Sequence, residues 1–162
     1  MKIIKNLIFN TNRFKEDNFK RFSKGIKNKK ILEIGTGKHS LEKYFDSSNK
    51  FIKSDIIDYG YKIVDVTKMN FKEEFDIIIC KAVLEHVFEI HKAIENMYNA
   101  LKKNGKLLIV VPFAYPLHDE PNDYWRFTEH CLRRLLNKFN KIEVKQTKLR
   151  RFPFIYFVEA IK

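Results

Sequence analysis

The sequence has few cysteines and no long apolar run. Only two of its 162 residues are cysteines, Cys80 and Cys131; they form no Cys-x-x-Cys pair and both lie within apolar stretches. This argues against a disulfide framework and against a zinc site, and no metal ligands are predicted. No apolar run approaches the ~20 residues of a membrane-spanning helix, and residues 1–10 are too short and too polar for a signal peptide. We therefore expect a soluble, cytoplasmic protein without a transmembrane segment.

Acidic residues are outnumbered by basic ones. The chain has 32 Lys and Arg against 20 Asp and Glu, a formal net charge of +12. Such a charge attracts phosphates, acidic sugars and anionic lipids. Because the lysines are dispersed among Asn, Ile and Phe, the pattern favours a solvated surface. Nucleic acid is therefore a less favoured partner, kept as an alternative.

Short apolar runs alternate with helical segments from residue 30 onward. The runs predicted to be strands are residues 31–34, 51–54, 61–64, 75–80, 107–111, 142–147 and 154–161. One helix is predicted between the fourth and fifth runs, with Leu101 on its apolar face and Asn104-Gly105 as its stop, and another after Thr128. The alternation predicts an α/β fold, a Rossmann-like seven-stranded, mostly parallel sheet with helices on both faces. A short connection around residues 150–153 makes the last strand antiparallel, and short spacers predict reduced helices after strands two and three.

The length fits one domain, and the first 29 residues differ from the rest. They are polar and basic, with Phe9, Phe14, Phe19, Phe22 and Ile26 at spacings of three to five. This spacing predicts an amphipathic helix that ends near Gly25. We expect residues 1–29 to be a helical extension packed on a domain of residues 30–162.

Two of the five glycines lie in one loop directly after the first predicted strand, at Gly35 and Gly37. Glycine there lets the backbone approach a ligand closely. A dinucleotide would place an anionic pyrophosphate beside Glu33, whereas S-adenosylmethionine would place an ammonium and a sulfonium there. Ser40 also stands where the dinucleotide motif has its third glycine. Both features favour S-adenosylmethionine over NAD, although such a loop can also be a simple tight turn.

Two further acids follow the next predicted strands. Asp55 lies 22 residues after Glu33, near the offset at which an acid reaches ribose hydroxyls in nucleotide-binding units. Asp65 and the backbone N–H of Val66 could hold the adenine amino edge. Each aspartate alone could equally be a turn residue, but the ordered set is more specific than its members.

These segments resemble the class I S-adenosylmethionine-dependent methyltransferases from about residue 30 to the C-terminus. The likeness rests on three parts of the sequence: residues 33–37, residues 75–79 with 83–87, and residues 101–107. Residues 118–128 are also similar to a His-x-x-Pro-x-Asp-Tyr-Trp-Arg-Phe-Thr motif. That motif belongs to one bacterial subgroup connected with surface-glycan and other specialised biosynthesis. The resemblance implies S-adenosylmethionine as cofactor, with the backbone of Lys81 and Ala82 at its methionine part. The implied cofactor-binding residues are Glu33, Gly35, Thr36, Gly37, Asp55, Ile56, Asp65, Val66, Lys81 and Ala82. Lys38-His39-Ser40 departs from the usual third small residue of the first motif.

Candidate catalytic residues form two clusters. His86 follows the fourth strand, where it could be a general base or a packing residue. The second cluster, after the fifth strand, contains His118, Asp123, Tyr124 and Arg126. In a catalytic role His118 is a base, Arg126 clamps an acidic acceptor and Tyr124 or Trp125 covers the sulfonium. In the structural alternative, Asp123 and Arg126 pair with each other while Tyr124, Trp125 and Phe127 fill the core.

We predict a methyltransferase that acts on an oxygen of a small-molecule or glycan-like acceptor. Two alternatives stay open: a methyltransferase-like binding protein that has lost catalysis, and a nucleic-acid methyltransferase. The remaining histidines, His39, His91 and His130, are predicted to lie on the surface. The sequence predicts this class of acceptor but neither the individual compound nor the oligomeric state.

Overall fold

The computed structural model describes residues 2–147 and 152–162, with side chains from residue 11 onward. Its centre is a seven-stranded sheet in the order β3-β2-β1-β4-β5-β7-β6. The strands are β1 Lys30–Ile34, β2 Lys50–Asp55, β3 Lys62–Ile63, β4 Phe75–Lys81, β5 Leu101–Pro112, β6 Lys141–Gln146 and β7 Ile155–Ile161. The first five are parallel, and β7 runs antiparallel to both β5 and β6. The predicted fold class is therefore confirmed.

Helices cover both faces of the sheet. The α-helices are α1 Lys2–Ser23, α2 Ile90–Ala100 and α3 Glu129–Leu135, with short 3-10 helices at Glu42–Tyr44 and Leu84–His86. Alternate strand residues point to opposite faces, so Leu32 and Ile78 pack in one core with α2 and α3. Ile31 and Ile77 pack in the other core with Phe19 of α1. One core therefore covers each face of the sheet, and the ends of the strands are not covered by these cores.

The amino-terminal helix contributes two buried aromatic side chains to the second core. Phe19 and Phe22 are buried there, and Phe14 and Ile26 pack partly against them. The helix ends at Ser23, two residues before Gly25, whose φ is +76°. Phe9 of the predicted stripe lies outside the described side chains.

The boundary between α2 and β5 differs from the prediction. The helix ends at Ala100 and the strand begins at Leu101, without a loop. Asn104 and Gly105 lie inside β5, at an irregularity where Phe75 pairs with Leu101 but Ile77 pairs with Lys106. The prediction that the helix includes Leu101 and stops at Asn104-Gly105 was wrong, because an apolar residue that is buried in either structure cannot mark the boundary.

The connections around β3 are short, as predicted. Residues 56–61 link β2 to β3 without a helix, and the described residues between β3 and β4 form turns. Val64, Val66 and Met69 in these turns are buried against the first core. The predicted connection around Arg150 falls partly in residues 148–151, outside the described residues. Among the residues that are described, no helix combines the length and apolarity needed to cross a membrane.

Candidate active site

Three loops meet at the carboxyl edge of the parallel strands, where open α/β sheets bind ligands. The first, residues 35–41, follows β1; the second, residues 82–89, follows β4; the third, residues 113–128, follows β5. Asp55 ends β2 at the same edge. The sheet order therefore brings together residues that are far apart in the sequence.

The glycine-bearing loop is packed against the loop after β4. Gly35 has φ +69°, and a Cβ placed on it would lie 2.1 Å from Cγ2 of Val83. Gly37 has φ +54°, and a Cβ there would meet no described atom within 4 Å. Gly35 is thus required for close packing of the two loops, whereas the open space beside Gly37 suits the approach of a ligand to the backbone.

The carboxylate of Glu33 holds its own loop. It is 1% exposed, and it accepts hydrogen bonds from the Ser40 hydroxyl at 2.7 Å and the Leu41 N–H at 2.9 Å. Burial raises the pKa of Glu33, while these hydrogen bonds oppose the rise. Ser40, the residue that departs from the usual motif, is therefore a partner of Glu33.

Asp55 links the end of β2 to the glycine-bearing loop. Its buried carboxylate accepts hydrogen bonds from the Gly37 N–H at 2.9 Å and the Ile57 N–H at 3.1 Å. Thr36 adds a second link, since its N–H donates to the Ser54 carbonyl and its hydroxyl accepts from the Ser54 N–H. The loop after β1 is therefore fixed to β2 at Thr36 and at Gly37.

Asp65 occupies a turn after β3. Its carboxylate accepts from the N–H and the hydroxyl of Thr67, at 2.8 and 2.7 Å, and pairs with Lys68 at 3.3 Å. Val66 is buried and Ile56 is exposed. The turn role that the sequence left open for Asp65 is thus present.

The backbone directly after β4 is in an unusual conformation. Ala82 is exposed and has φ +51°, which L-residues other than Gly, Asn and Asp seldom adopt. Its N–H donates to the Val110 carbonyl at 2.8 Å. Burial lowers the pKa of the neighbouring Lys81. Local strain of this kind often occurs at ligand-binding positions.

Backbone hydrogen bonds join the loops after β4 and β5. The N–H groups of Tyr124 and Trp125 donate to the Glu85 carbonyl at 2.8 and 3.1 Å. The indole N–H of Trp125 donates to the Val87 carbonyl at 2.9 Å. These hydrogen bonds hold His86 of the loop after β4 beside His118 of the loop after β5.

His86 and His118 form an edge-to-face pair with ring centroids 4.8 Å apart. Nδ1 of His86 lies 3.0 Å from the Asn122 carbonyl oxygen, and Nδ1 of His118 lies 3.1 Å from the Pro116 carbonyl oxygen. A carbonyl only accepts hydrogen bonds. In the neutral form of either ring Nδ1 therefore carries the proton, and Nε2 keeps its lone pair.

Asp123 and Arg126 pair with each other, as the structural alternative predicted. Both guanidinium NH groups reach the Asp123 carboxylate at 2.6 Å, and Arg126 also donates to the carbonyls of Tyr115 and Pro116. The hydrogen bond from Arg126 holds the pKa of Asp123 far below its usual range. The other half of that alternative fits Phe127, which is buried, but not Tyr124, which is 44% exposed.

Glu85 lies in the segment 83–87 that carries the family resemblance, but it was not predicted to be a site residue. Its side chain is fully buried, and among the described residues neither carboxylate oxygen finds a hydrogen-bond partner. Burial raises its pKa to about 7. The only sequence signal is an acid beside His86 in the loop after β4, and burial cannot be seen in that signal. The three histidines predicted to be surface residues, His39, His91 and His130, are exposed.

Comparisons with known proteins agree with this architecture. The sequence model of a family described as a methyltransferase domain matches residues 9–146. A ubiquinone biosynthesis O-methyltransferase from Pelagibacter ubique is 29% identical over 115 residues, 60% of this chain and 48% of that protein. A tRNA U34 carboxymethyltransferase from Sulfurimonas denitrificans is 35% identical over 66 residues, 40% of this chain and 21% of that protein. The chain thus spans less than half of each curated relative.

A solved structure gives the same fold. A SAM-dependent methyltransferase from Archaeoglobus fulgidus superposes with a TM-score of 0.71 at 15% identity, covering 96% of this chain and 93% of that one. At this identity the likeness concerns the fold.

Proposed function

Because the chain belongs to the methyltransferase domain family, we propose that it transfers a methyl group from S-adenosylmethionine to an oxygen of a small-molecule or glycan-like acceptor. The observation that carries the proposal is the Asp55 carboxylate, which is held at the edge of the sheet by the Gly37 N–H, beside open space. S-adenosylmethionine supplies a methyl group on a positively charged sulfur. The protein's part is to hold the cofactor, orient the acceptor and accept its proton.

The residues at the edge suit the cofactor's polar groups. Each Asp55 oxygen accepts one hydrogen bond and so keeps a lone pair for the ribose hydroxyls. We assign the adenine side to Asp65, Val66 and the exposed Ile56, and the methionine side to the backbone of Lys81 and Ala82. Gly35, Thr36 and Gly37 form the loop between them.

Glu33 supports this loop from behind. Its carboxylate is engaged by Ser40 and Leu41, so we assign it to fixing the loop that faces the cofactor. The preference for a cationic cofactor over a pyrophosphate still follows from a buried acid beneath the loop, because opposite charges attract across a low-dielectric interior.

We assign acceptance of the acceptor's proton to the histidine pair. Nε2 of His86 and of His118 carries the free lone pair, and both rings are partly exposed. Asp123 Oδ2 lies 3.3 Å from Nδ1 of His118, so it orients that ring. Arg126 in turn holds Asp123, which makes Asp123 and Arg126 positioning residues in this proposal.

An exposed aromatic surface lies beside the histidine pair. Phe88 is 66% exposed and Tyr124 44%, and the Phe88 ring packs against those of Tyr124 and Trp125 at 5.4 and 6.1 Å. Aromatic faces attract sulfonium and bind the apolar faces of sugars and aromatic acceptors. We assign Tyr124 to this wall.

The acceptor class can be tested by methyl labelling. The protein is incubated with methyl-labelled S-adenosylmethionine and either the small-molecule and glycan fraction or the RNA fraction of a bacterial extract. Label in the first fraction supports the proposal. His118→Gln should lower the transfer rate by about 100-fold or more, while the exposed control His130→Gln should not. Absence of label in the first fraction would contradict the proposed acceptor.

The net charge of +12 supports a nucleic-acid acceptor as the second candidate. It predicts label in the RNA fraction and an RNA affinity that falls steeply as salt is raised. The dispersed lysines predict only weak RNA binding at physiological salt.

A further inference from the structure

We propose that Glu85, His86 and His118 form a binding site for a divalent transition-metal ion such as Zn²⁺. One carboxylate oxygen and one nitrogen from each ring lie within 4.8 Å of one another. Two histidines and one carboxylate are a common protein ligand set for Zn²⁺ and for non-haem Fe²⁺, with the remaining positions open. The ligands come from two loops that backbone hydrogen bonds already join.

Both imidazoles are prepared as ligands. The carbonyls of Asn122 and Pro116 engage Nδ1 of His86 and of His118, which leaves the lone pair on Nε2. Histidines that bind metals usually donate their other N–H to a carbonyl or carboxylate, which fixes the tautomer and the ring orientation. Asp123 lies 3.3 Å from Nδ1 of His118 and adds such a carboxylate.

The carboxylate of Glu85 lacks the partner that a cation would provide. Within the described part of the chain, both of its oxygens are buried without a hydrogen bond, and burial of an unpaired charge destabilises a fold. Neighbouring groups do not cancel it, because Arg126 is paired with Asp123. A divalent ion held between the carboxylate and the two Nε2 atoms would satisfy all three groups at once.

The cluster is slightly wider than a closed zinc site. Ligand atoms around tetrahedral Zn²⁺ are about 3.4 Å apart, given bonds of about 2.1 Å, so separations of up to 4.8 Å must shrink on binding. Side-chain rotation of the two partly exposed rings can supply this. The exposed Asp119, with Oδ2 3.9 Å from Nε2 of His86, adds negative charge on the open side.

The metal site coincides with the histidine pair of the proposed function, and its role in the reaction rests on that function. With both Nε2 atoms bound to the ion, neither imidazole would be the base; the ion would instead lower the pKa of a bound acceptor oxygen, whose proton would pass to solvent water. Binding of the ion itself does not depend on methyl transfer, so it can be measured alone.

The test is titration of the chelator-treated full chain with Co²⁺, followed by displacement with Zn²⁺. A Cys131→Ser background removes the exposed thiol next to His130. We expect one equivalent of Co²⁺ to bind with a visible ligand-field band, Zn²⁺ to abolish the band and raise the melting temperature, and Mg²⁺, which prefers oxygen ligands, not to compete.

Glu85→Gln and His118→Gln should each weaken Zn²⁺ binding by about 100-fold or more, since loss of an outer-shell partner alone costs 10–100-fold. Glu85→Gln keeps the side-chain shape and removes the buried charge, so it should fold. His130→Gln, on the exposed side of α3, should bind like the parent. No saturable binding, or binding unchanged in both ligand variants, would overturn the site. Titration of the same samples with S-adenosylmethionine separates this result from failure of the proposed function.

Discussion

The backbone of Gly35 leaves no room for a side chain. Its φ is +69°, and a Cβ would lie 2.1 Å from Cγ2 of Val83. We expect Gly35→Ala to lower the free energy of unfolding by about 2–4 kcal/mol, from left-handed strain together with overpacking. Urea unfolding measures this loss.

Gly37 and Val83 provide the controls for that substitution. Gly37 also has a positive φ, but a Cβ there would meet open space. Gly37→Ala should therefore lower the free energy of unfolding by only about 1–2 kcal/mol. Adding Val83→Ala to Gly35→Ala should recover part of the loss, because the clash is removed. Equal losses for both glycines would show that the contact with Val83 is not what requires Gly35.

Glu33 should make stability depend on pH. Burial raises its folded-state pKa above the ordinary value of 4.5, so ionised Glu33 costs stability above the raised pKa, and the cost disappears below the ordinary one. Relative to Glu33→Gln, the wild type should therefore become more stable as the pH falls from about 8 to about 4.5. Urea midpoints of both proteins across this range give the difference. A constant difference, or one of opposite sign, would contradict the burial argument.

At the level of single residues, the sequence indicated which residues belong to a site but not which hydrogen bonds they make. It predicted Glu33 as a cofactor-binding residue whose charge favours a cationic cofactor, but not that Ser40 and Leu41 engage its carboxylate. It offered two roles for Arg126, and the contacts favour the ion pair with Asp123. Hydrogen-bond partners depend on side-chain geometry that periodicity does not contain.

The helix α1 packs on one face of the sheet through a small number of its aromatic side chains. Phe19 is buried, and its ring contacts those of Tyr44 and Phe157 at 5.6 and 5.3 Å. Phe19→Ala should lower the free energy of unfolding by about 3–5 kcal/mol. Arg13→Ala, on the exposed side of the same helix, should change it by less than about 0.5 kcal/mol. Similar small effects for both would mean that α1 does not stabilise the sheet.

At the level of elements, periodicity was a strong guide and boundaries were a weak one. All seven predicted strands are present. The buried parallel strands β1 and β4 were predicted from continuous apolar runs, whereas β3 is only two exposed residues long. The end of α2 was misplaced because Leu101 is buried whether it ends a helix or begins a strand. Asn104 and Gly105, which suggested a helix stop, instead form an irregularity within β5.

For the whole molecule, the order of strands decides which loops meet. Glu85 and His118 are 33 residues apart in the sequence, yet they come together because β4 and β5 are parallel neighbours. The sequence therefore predicted loops that meet at one edge of the sheet. It could not predict that a buried, unpartnered carboxylate lies beside the histidine pair, since burial is a property of the assembled fold.

Binding of S-adenosylmethionine at the glycine-bearing edge is the central claim, and calorimetric titration tests it most directly. The full chain is titrated with S-adenosylmethionine, S-adenosylhomocysteine and NAD, and the titrations are repeated on Asp55→Ala and on the exposed control Asp58→Ala. We predict that the first two ligands bind with micromolar affinity and that NAD does not bind. Asp55→Ala should lower the affinity at least about tenfold, equivalent to 1.4 kcal/mol, and Asp58→Ala should not change it. Binding of neither ligand, or a preference for NAD, would contradict the account.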